Sequence, residues 1–221
     1  MIKSRSLQIV YRSIYLILMV FAIADSLGAF SGIPNHSFYV YYTNQSNYIC
    51  TLVALFELVF GIVMLAKGKR QGSDSPLSVL KFLAAVWILI TCGVYNVLLG
   101  DITDPSYWTD FSNVILHLVG PILFILDFIL FTKPRSIKLH DTALVVVYPY
   151  LYVIFILVRA VLIDPASTDV LYPYFFLDAG AEGYAYVFIY VLALSAVFIA
   201  LALLFTLINR ISGPREKRVL L

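Results

Sequence analysis

Apolar residues dominate six long stretches of the chain, and polar residues gather in the connections between them. Each stretch approaches the roughly 20 apolar residues that a helix needs to cross the hydrocarbon core of a bilayer. The pattern therefore predicts an all-α polytopic membrane protein, a single domain with six transmembrane helices. The predicted spans cover residues 11–29, 47–66, 78–99, 111–131, 142–163 and 186–209.

The composition agrees with this pattern, because 62% of the residues are hydrophobic and only 13% are charged. A soluble domain of similar length carries about 25% charged residues. The chain has too little polar surface to cover a water-soluble globule, so its apolar excess must face lipid. The net charge is only +2, and no basic patch interleaved with aromatics lies in a water-exposed segment. We therefore exclude nucleic acid as a partner.

Charge is distributed unequally between the two sides of the predicted bundle. Of the 15 lysine and arginine residues, 14 fall on one side, and the exception is Arg159 within the fifth span. The positive-inside rule then predicts that the N- and C-termini are both cytoplasmic. The basic residues are Lys3, Arg5, Arg12, Lys67, Lys69, Arg70, Lys81, Lys133, Arg135, Lys138, Arg210, Arg215, Lys217 and Arg218, and the opposite side holds Asp101, Asp104, Asp110, Asp164, Asp169, Asp178 and Glu182.

Apart from Arg12 and Lys81, which are expected to flank the membrane at the starts of their spans, five ionisable residues lie within the predicted spans, namely Asp25, Glu57, His117, Asp127 and Arg159. Such groups are costly in lipid, so they are expected to face the bundle interior. Glu57 and Asp127 fall towards the inner leaflet. Two bare carboxylates are unfavourable there, and we expect them to share a proton or to be neutral. The other three fall in the outer half.

Small and polar residues recur at steps of three and four along the second and fourth spans, which places each set on one helix face. The two polar faces are expected to meet across a common interior, although such residues also serve simply to hold helices together. The sets are Thr43, Ser46, Asn47, Cys50, Ala54, Glu57 and Gly61, and Asn113, His117, Gly120 and Asp127.

Two segments carry a resemblance to a known family. They are residues 41–47, which lead into the second span, and residues 113–121 with Asp127 in the fourth. Together they resemble bacterial relatives of the androgen-induced membrane proteins, which include hydrolases of fatty acid esters of hydroxy fatty acids. The resemblance implies a multi-helix protein of a bacterial cell membrane. It also implies a catalytic pair of a threonine and a histidine, which fall on Thr43 and His117.

The chemistry that such a pair requires also has candidates among the residues at the same depth. A threonine hydroxyl is a weak nucleophile, and an imidazole can take its proton near neutral pH. Each assignment has a structural alternative: Thr43 as a helix cap, His117 as an interior polar group, and Asp25 with Arg159 as an ion pair. Further candidates are Asp25 to orient the imidazole, Asn47, Asn96 and Asn113 to stabilise an oxyanion, and Arg159 to bind a substrate anion.

Two classes of function compete with a lipid ester hydrolase. In a small-molecule or proton-linked transporter or channel, Glu57, Asp127, His117 and Arg159 would line a path. A non-catalytic membrane scaffold is the third alternative. In the hydrolase interpretation, the partner is a membrane lipid or fatty acyl ester. We expect no cofactor and no metal, since the histidines lack a ligand arrangement.

Overall fold

The computed structural model describes residues 1–72, 76–168 and 170–211, and these form a helical bundle without β-strands. Six of its helices are long and apolar enough to cross a membrane, as predicted. The protein is therefore a multi-pass integral membrane protein. The helices are α1 (Arg5–Ser26), α2 (Tyr42–Ala66), α3 (Ser78–Leu99), α4 (Phe111–Phe131), α5 (Leu139–Leu162) and α6 (Tyr184–Ile211).

Backbone contacts show which connections share an end of the bundle. The Ile2 amide donates to the Leu130 carbonyl (2.8 Å), and the Arg135 amide donates to the Asn209 carbonyl (3.1 Å). The start of α1, the end of α4 and the last described turn of α6 therefore lie together. We call this the basic end, because lysines and arginines flank its helices, and we call the opposite end the acidic end. Four charged residues of the sequence argument, Asp169, Arg215, Lys217 and Arg218, lie outside the described residues.

The outer surface of the bundle is apolar along the length of the helices. Large side chains such as Ile17, Leu151, Ile189 and Leu207 are more than half exposed. Helices that are apolar on their outward faces as well as in the core are typical of membrane spans. This surface is the one that lipid covers.

Helices α1 and α2 begin six and five residues earlier than the apolar pattern predicted. The Ser4 hydroxyl accepts a hydrogen bond from the Leu7 amide (3.4 Å) and caps α1, so Arg12 lies well inside this helix and not at its start. Helix α2 begins at Tyr42, which puts Thr43 in its first turn. Polar residues in the first turn of a helix are not part of an apolar stretch, so the predicted spans began several residues after the true helix starts.

Four charged side chains form a buried network between α1, α2, α3 and α4, in the half of the bundle nearer the basic end. Arg12 contacts Glu57 (Nη2–Oε2, 3.3 Å) and Asp127 (Nε–Oδ1, 3.0 Å). Lys81 contacts the other Asp127 oxygen (Nζ–Oδ2, 2.5 Å) and donates to the Asp127 carbonyl (3.1 Å). We call these four residues the ionic cluster.

The ionic cluster corrects two expectations from the sequence. Glu57 and Asp127 were expected to share a proton or to be neutral, but each is paired with a cation. Arg12 and Lys81 were expected to flank the spans at the membrane surface, yet they are 3% and 1% exposed. A basic residue one or two turns inside a helix reaches the interior when its side chain turns towards a carboxylate.

An apolar layer separates the ionic cluster from the acidic end. It contains Met19, Cys50, Ala84 and Phe124, one from each of the first four helices, and all four are fully buried. Each helix therefore carries apolar core residues between its two polar levels.

Replacing Asp127 with alanine tests the ionic cluster. Arg12 and Lys81 would both lose a buried partner, and removing one member of a buried pair costs about 3–5 kcal/mol of the free energy of unfolding. Chemical denaturation in lipid-like micelles measures this loss, with Glu182→Ala, an exposed carboxylate at the acidic end, as the control. A loss below about 1 kcal/mol, as for an exposed pair, would contradict the proposed contribution of the cluster.

Candidate functional site

Two transmembrane helices widen into π-helical turns at the same level near the acidic end. These turns are Tyr95–Leu99 in α3 and Ile115–Val119 in α4. They face each other, because the Asn96 side-chain amide donates to the His117 carbonyl (2.9 Å). A π turn inside a helix often marks a functional position, since it redirects side chains and frees backbone carbonyls.

His117 is held at the centre of these two turns. Its Nδ1 lies 3.0 Å from the Asn113 carbonyl, and its ring stacks on Tyr95 with 3.4 Å between centroids. A carbonyl oxygen only accepts, so Nδ1 carries the proton, and in a neutral imidazole the lone pair is on Nε2. Among the described residues, Nε2 has no hydrogen-bond partner. This nitrogen is therefore able to accept a proton.

Side-chain hydrogen bonds surround His117 and connect three segments. The Tyr95 hydroxyl donates to Asn113 Oδ1 (2.5 Å). The Tyr107 hydroxyl, from the short helix Pro105–Thr109 in the α3–α4 connection, donates to Asn96 Oδ1 (2.5 Å). These bonds fix the tyrosine and asparagine side chains relative to the imidazole.

Asn47 joins the first turn of α2 to the π turn of α4. Its amide nitrogen donates to the Thr43 carbonyl and to the Leu116 carbonyl, both at 2.9 Å. Thr43 and His117 therefore belong to backbone segments that a single fully buried side chain holds together. The sequence predicted that these two positions share a depth, and the Asn47 bridge places their backbones side by side.

The candidate oxyanion donors have other partners in this arrangement. Both amide hydrogens of Asn47 are engaged, and so are those of Asn96, which donates to the Cys92 and His117 carbonyls. Asn113 uses one of its amide hydrogens on the Tyr107 carbonyl (3.3 Å). These asparagines hold the site together. The side-chain amides of Asn47 and Asn96 have no free hydrogen left to donate to a ligand.

A cavity of about 70 Å³ lies between α2, α3, α5, α6 and the loop before α6. Its walls are mostly apolar. Hydroxyl groups of threonine, tyrosine and serine supply the polar part of the lining, and Thr43 is among them. The lining includes Tyr42, Thr43, Val94, Tyr95, Leu99, Tyr174, Val191, Leu194 and Ser195.

Tyr95 connects the cavity to His117. This residue lines the cavity together with Thr43, and its ring stacks on the imidazole, which is not part of the lining. Within the described residues, no hydrogen bond joins the Thr43 hydroxyl to the His117 ring. The structure therefore brings both candidate catalytic residues to Tyr95 but does not pair them directly.

Tyr174 extends from the α5–α6 connection to the cavity and lies against Thr43. Burial raises the pKa of the Tyr174 phenol, while hydrogen bonding to Thr43 acts in the opposite direction. The net direction is upward, so this phenol stays protonated and neutral. A hydroxyl donor thus lies beside the candidate nucleophile.

Arg159 and Asp25 lie away from the cavity lining. The Arg159 guanidinium donates to the Val170 and Leu171 carbonyls (2.9 and 3.0 Å) and to the Tyr39 hydroxyl (3.2 Å). It therefore connects the α5–α6 loop to the α1–α2 connection. Asp25 is near the end of α1, and among the described residues its carboxylate forms neither an ion pair with Arg159 nor a hydrogen bond with His117.

Sequence reasoning missed the tyrosines of this site. Tyr42, Tyr107 and Tyr174 fall at span ends, where tyrosine is typical of the aromatic belt at the headgroup level. Tyr95 precedes Asn96 within an apolar span, and that polar pair was the available signal. No group of three or more metal-binding side chains occurs in the described part of the chain.

Comparisons of the chain with protein-family models, with curated proteins and with solved structures gave no match. The fold and the site therefore rest on the geometry described above.

Substitution of Gly120 tests whether the π turn of α4 requires a residue without a side chain. A Cβ there would lie 2.7 Å from the Ile115 carbonyl oxygen and 2.7 Å from Met19 Sδ. We expect Gly120→Ala to lower the free energy of unfolding by about 1–3 kcal/mol, as overpacking does. Thermal unfolding in micelles measures the change.

Gly61→Ala is the matched control, because its Cβ would meet only the Ile9 side chain at 3.4 Å. Alanine is the better helix former, so this variant should be at least as stable as the wild type. Equal effects of the two substitutions would show that the π turn tolerates a Cβ.

Proposed function

We propose that the protein is an intramembrane hydrolase that cleaves a lipid ester, with Thr43 as the nucleophile and His117 as the base. The observation that carries this proposal is the arrangement around Tyr95. Tyr95 lines a cavity that Thr43 also lines, and its ring stacks on a histidine with an unpaired Nε2. The class of substrate, a fatty acyl ester, also follows from the family resemblance of residues 41–47 and 113–121.

The reaction requires the Thr43 hydroxyl and His117 Nε2 to meet at the substrate. Thr43 Oγ1 attacks the ester carbonyl carbon while Nε2 takes the hydroxyl proton. Collapse of the tetrahedral intermediate breaks the ester bond, and the imidazolium returns the proton to the leaving alcohol. Water then attacks the threonyl ester by the same route and releases the fatty acid. In this scheme the Tyr95 ring moves aside when substrate binds, which opens the path between the two groups.

The charge distribution supports a location of the proposed hydrolase site at the outer leaflet of the membrane. If the basic end is cytoplasmic, as the positive-inside rule predicts, the cavity lies in the outer half of the bilayer. An ester linkage would then lie near the interface with its acyl chain in lipid. A bacterial plasma membrane is the location that the family resemblance implies.

The pairing within the ionic cluster argues against a proton-linked transporter. Such a path needs acidic groups that exchange protons with water, whereas Glu57 and Asp127 are buried against Arg12 and Lys81. The apolar layer of Met19, Cys50 and Phe124 also separates these acids from His117. A hydrolase site confined to one end needs no continuous path.

Labelling with a fluorophosphonate hydrolase probe tests the proposed nucleophile. Thr43→Ala should lose covalent labelling in membranes, because the hydroxyl that would attack the probe is gone. His117→Gln should lower the labelling rate by about 100-fold or more, since a general base contributes that much. Gel fluorescence and mass spectrometry of the labelled peptide measure both effects.

Thr51→Ala is the control, because this threonine lies on the same helix with its hydroxyl bonded to the Asn47 carbonyl (2.8 Å) and outside the cavity lining. Its labelling should equal that of the wild type. Labelling that persists in Thr43→Ala would refute the proposed nucleophile.

Single-cysteine labelling tests the proposed orientation. With Cys50 and Cys92 replaced by alanine, Ser31→Cys in the exposed α1–α2 connection should react with a membrane-impermeant maleimide in intact cells. Lys69→Cys at the basic end should react only after the membrane is permeabilised. The reverse pattern would place the cavity in the inner leaflet.

A further inference from the structure

Tyr42 lines the cavity, and its hydroxyl is a buried polar group without a partner in the described part of the chain. The residue is 8% exposed, and its Oη has no hydrogen-bond partner among the described residues. Buried polar atoms are satisfied in the great majority of cases, so each exception requires an explanation. Because Tyr42 lines the cavity, a ligand that accepts a hydrogen bond there is one explanation.

The orientation of the Tyr42 ring is fixed by aromatic neighbours. It stacks on Tyr148 and meets Tyr152 edge-on, both with 5.1 Å between centroids, and Phe198 packs at 6.4 Å. The hydroxyl is therefore held in place before a ligand arrives. A donor fixed in this way loses little conformational entropy on binding.

Among the described residues, none that lines the cavity is charged. A carboxylate or phosphate buried there would lack a cation, and an unpaired buried charge is strongly unfavourable. The polar group of the ligand is therefore neutral. An ester carbonyl meets this requirement and also accepts a hydrogen bond, whereas a free fatty acid anion does not meet it.

The more exposed members of the lining show where the cavity opens. Leu99 of α3 and Tyr150 of α5 are 42% and 38% exposed, and Val94, Val191 and Leu194 are partly exposed, whereas Tyr42 and Thr43 are buried. The mouth therefore lies beside α6, towards α3 and α5, on the lipid-covered surface. An apolar chain can extend through it directly into the bilayer.

We propose that the cavity binds an uncharged acyl ester whose carbonyl oxygen accepts a hydrogen bond from the Tyr42 hydroxyl and whose acyl chain leaves through the lipid-facing mouth beside α6. This rests on the proposed hydrolase function in one respect, namely that the bound ester is the substrate. The Tyr42 hydroxyl and the lateral mouth then select neutral esters from the membrane.

Equilibrium binding tests the hydrogen bond without turnover, using the Thr43→Ala chain in nanodiscs. The ligand is a long-chain fatty acid methyl ester that competes with a diazirine-bearing copy of itself for photo-crosslinking. Tyr42→Phe should weaken binding of the ester about fivefold, the value of one neutral hydrogen bond. An alkane of equal length should bind with the same affinity to the Thr43→Ala chain with and without the Tyr42→Phe substitution.

Tyr48→Phe is the matched control. Tyr48 lies on the same helix, and its hydroxyl is also buried without a partner, but it lies outside the cavity lining. This substitution should leave ester binding unchanged. If Tyr42→Phe binds the ester as tightly as Tyr48→Phe does, or if the carboxylate form binds as tightly as the ester, the proposal is overturned.

Blocking the mouth tests the route of the acyl chain. Leu194→Trp should abolish photo-crosslinking, whereas Leu192→Trp, which is half exposed to lipid on the same helix, should not. Crosslinking that survives Leu194→Trp would overturn the lateral opening. Binding is measured here without Thr43, so a failure of this proposal is distinguishable from a failure of the nucleophile assignment, which only the covalent probe reports.

Discussion

The contact of Asp127 with both Arg12 and Lys81 is the interaction on which the arrangement of the first four helices depends. Burying charge in the interior is unfavourable unless each group finds a partner. Asp127 of α4 meets a cation from α1 and another from α3, and Arg12 also binds Glu57 of α2. A rotation of any one of these helices would leave a charge unpaired, so the ionic cluster restricts their rotation and depth.

The position of the site near the acidic end follows from this restriction. Helices α2 and α4, whose rotation the ionic cluster limits, carry Asn47 and the π turn that Asn47 binds. Backbone carbonyls within a membrane need partners, and the carbonyls of Leu116 and His117 in that turn accept from Asn47 and Asn96. The asparagines therefore maintain the widened turn that presents His117, while an apolar layer keeps the two polar levels apart.

The proposed chemistry depends on Tyr95, since this ring both shields the imidazole and lines the cavity. In the proposed reaction, an ester displaces this ring so that the hydroxyl and the imidazole can meet. The proposed substrate also fits the lining, whose described residues carry no charge, because a neutral ester carbonyl is better accommodated by hydroxyl donors such as Tyr42 and Tyr174 than by a cation. Arg159 contributes at a distance by holding the loop that carries Tyr174.

The sequence by itself determined the six apolar helices and the difference in charge between the two ends, because the length of an apolar stretch and the signs of its flanks are local properties. It also singled out Thr43, Asn47 and His117 as polar residues at one depth. Only the tertiary structure decided their partners. Arg12 meets Asp127, far along the chain, and Tyr42 and Tyr95 become cavity walls, because contacts between helices depend on how each helix is rotated. The π turns in α3 and α4 change that rotation locally, and the spacing of apolar residues carries no signal for them.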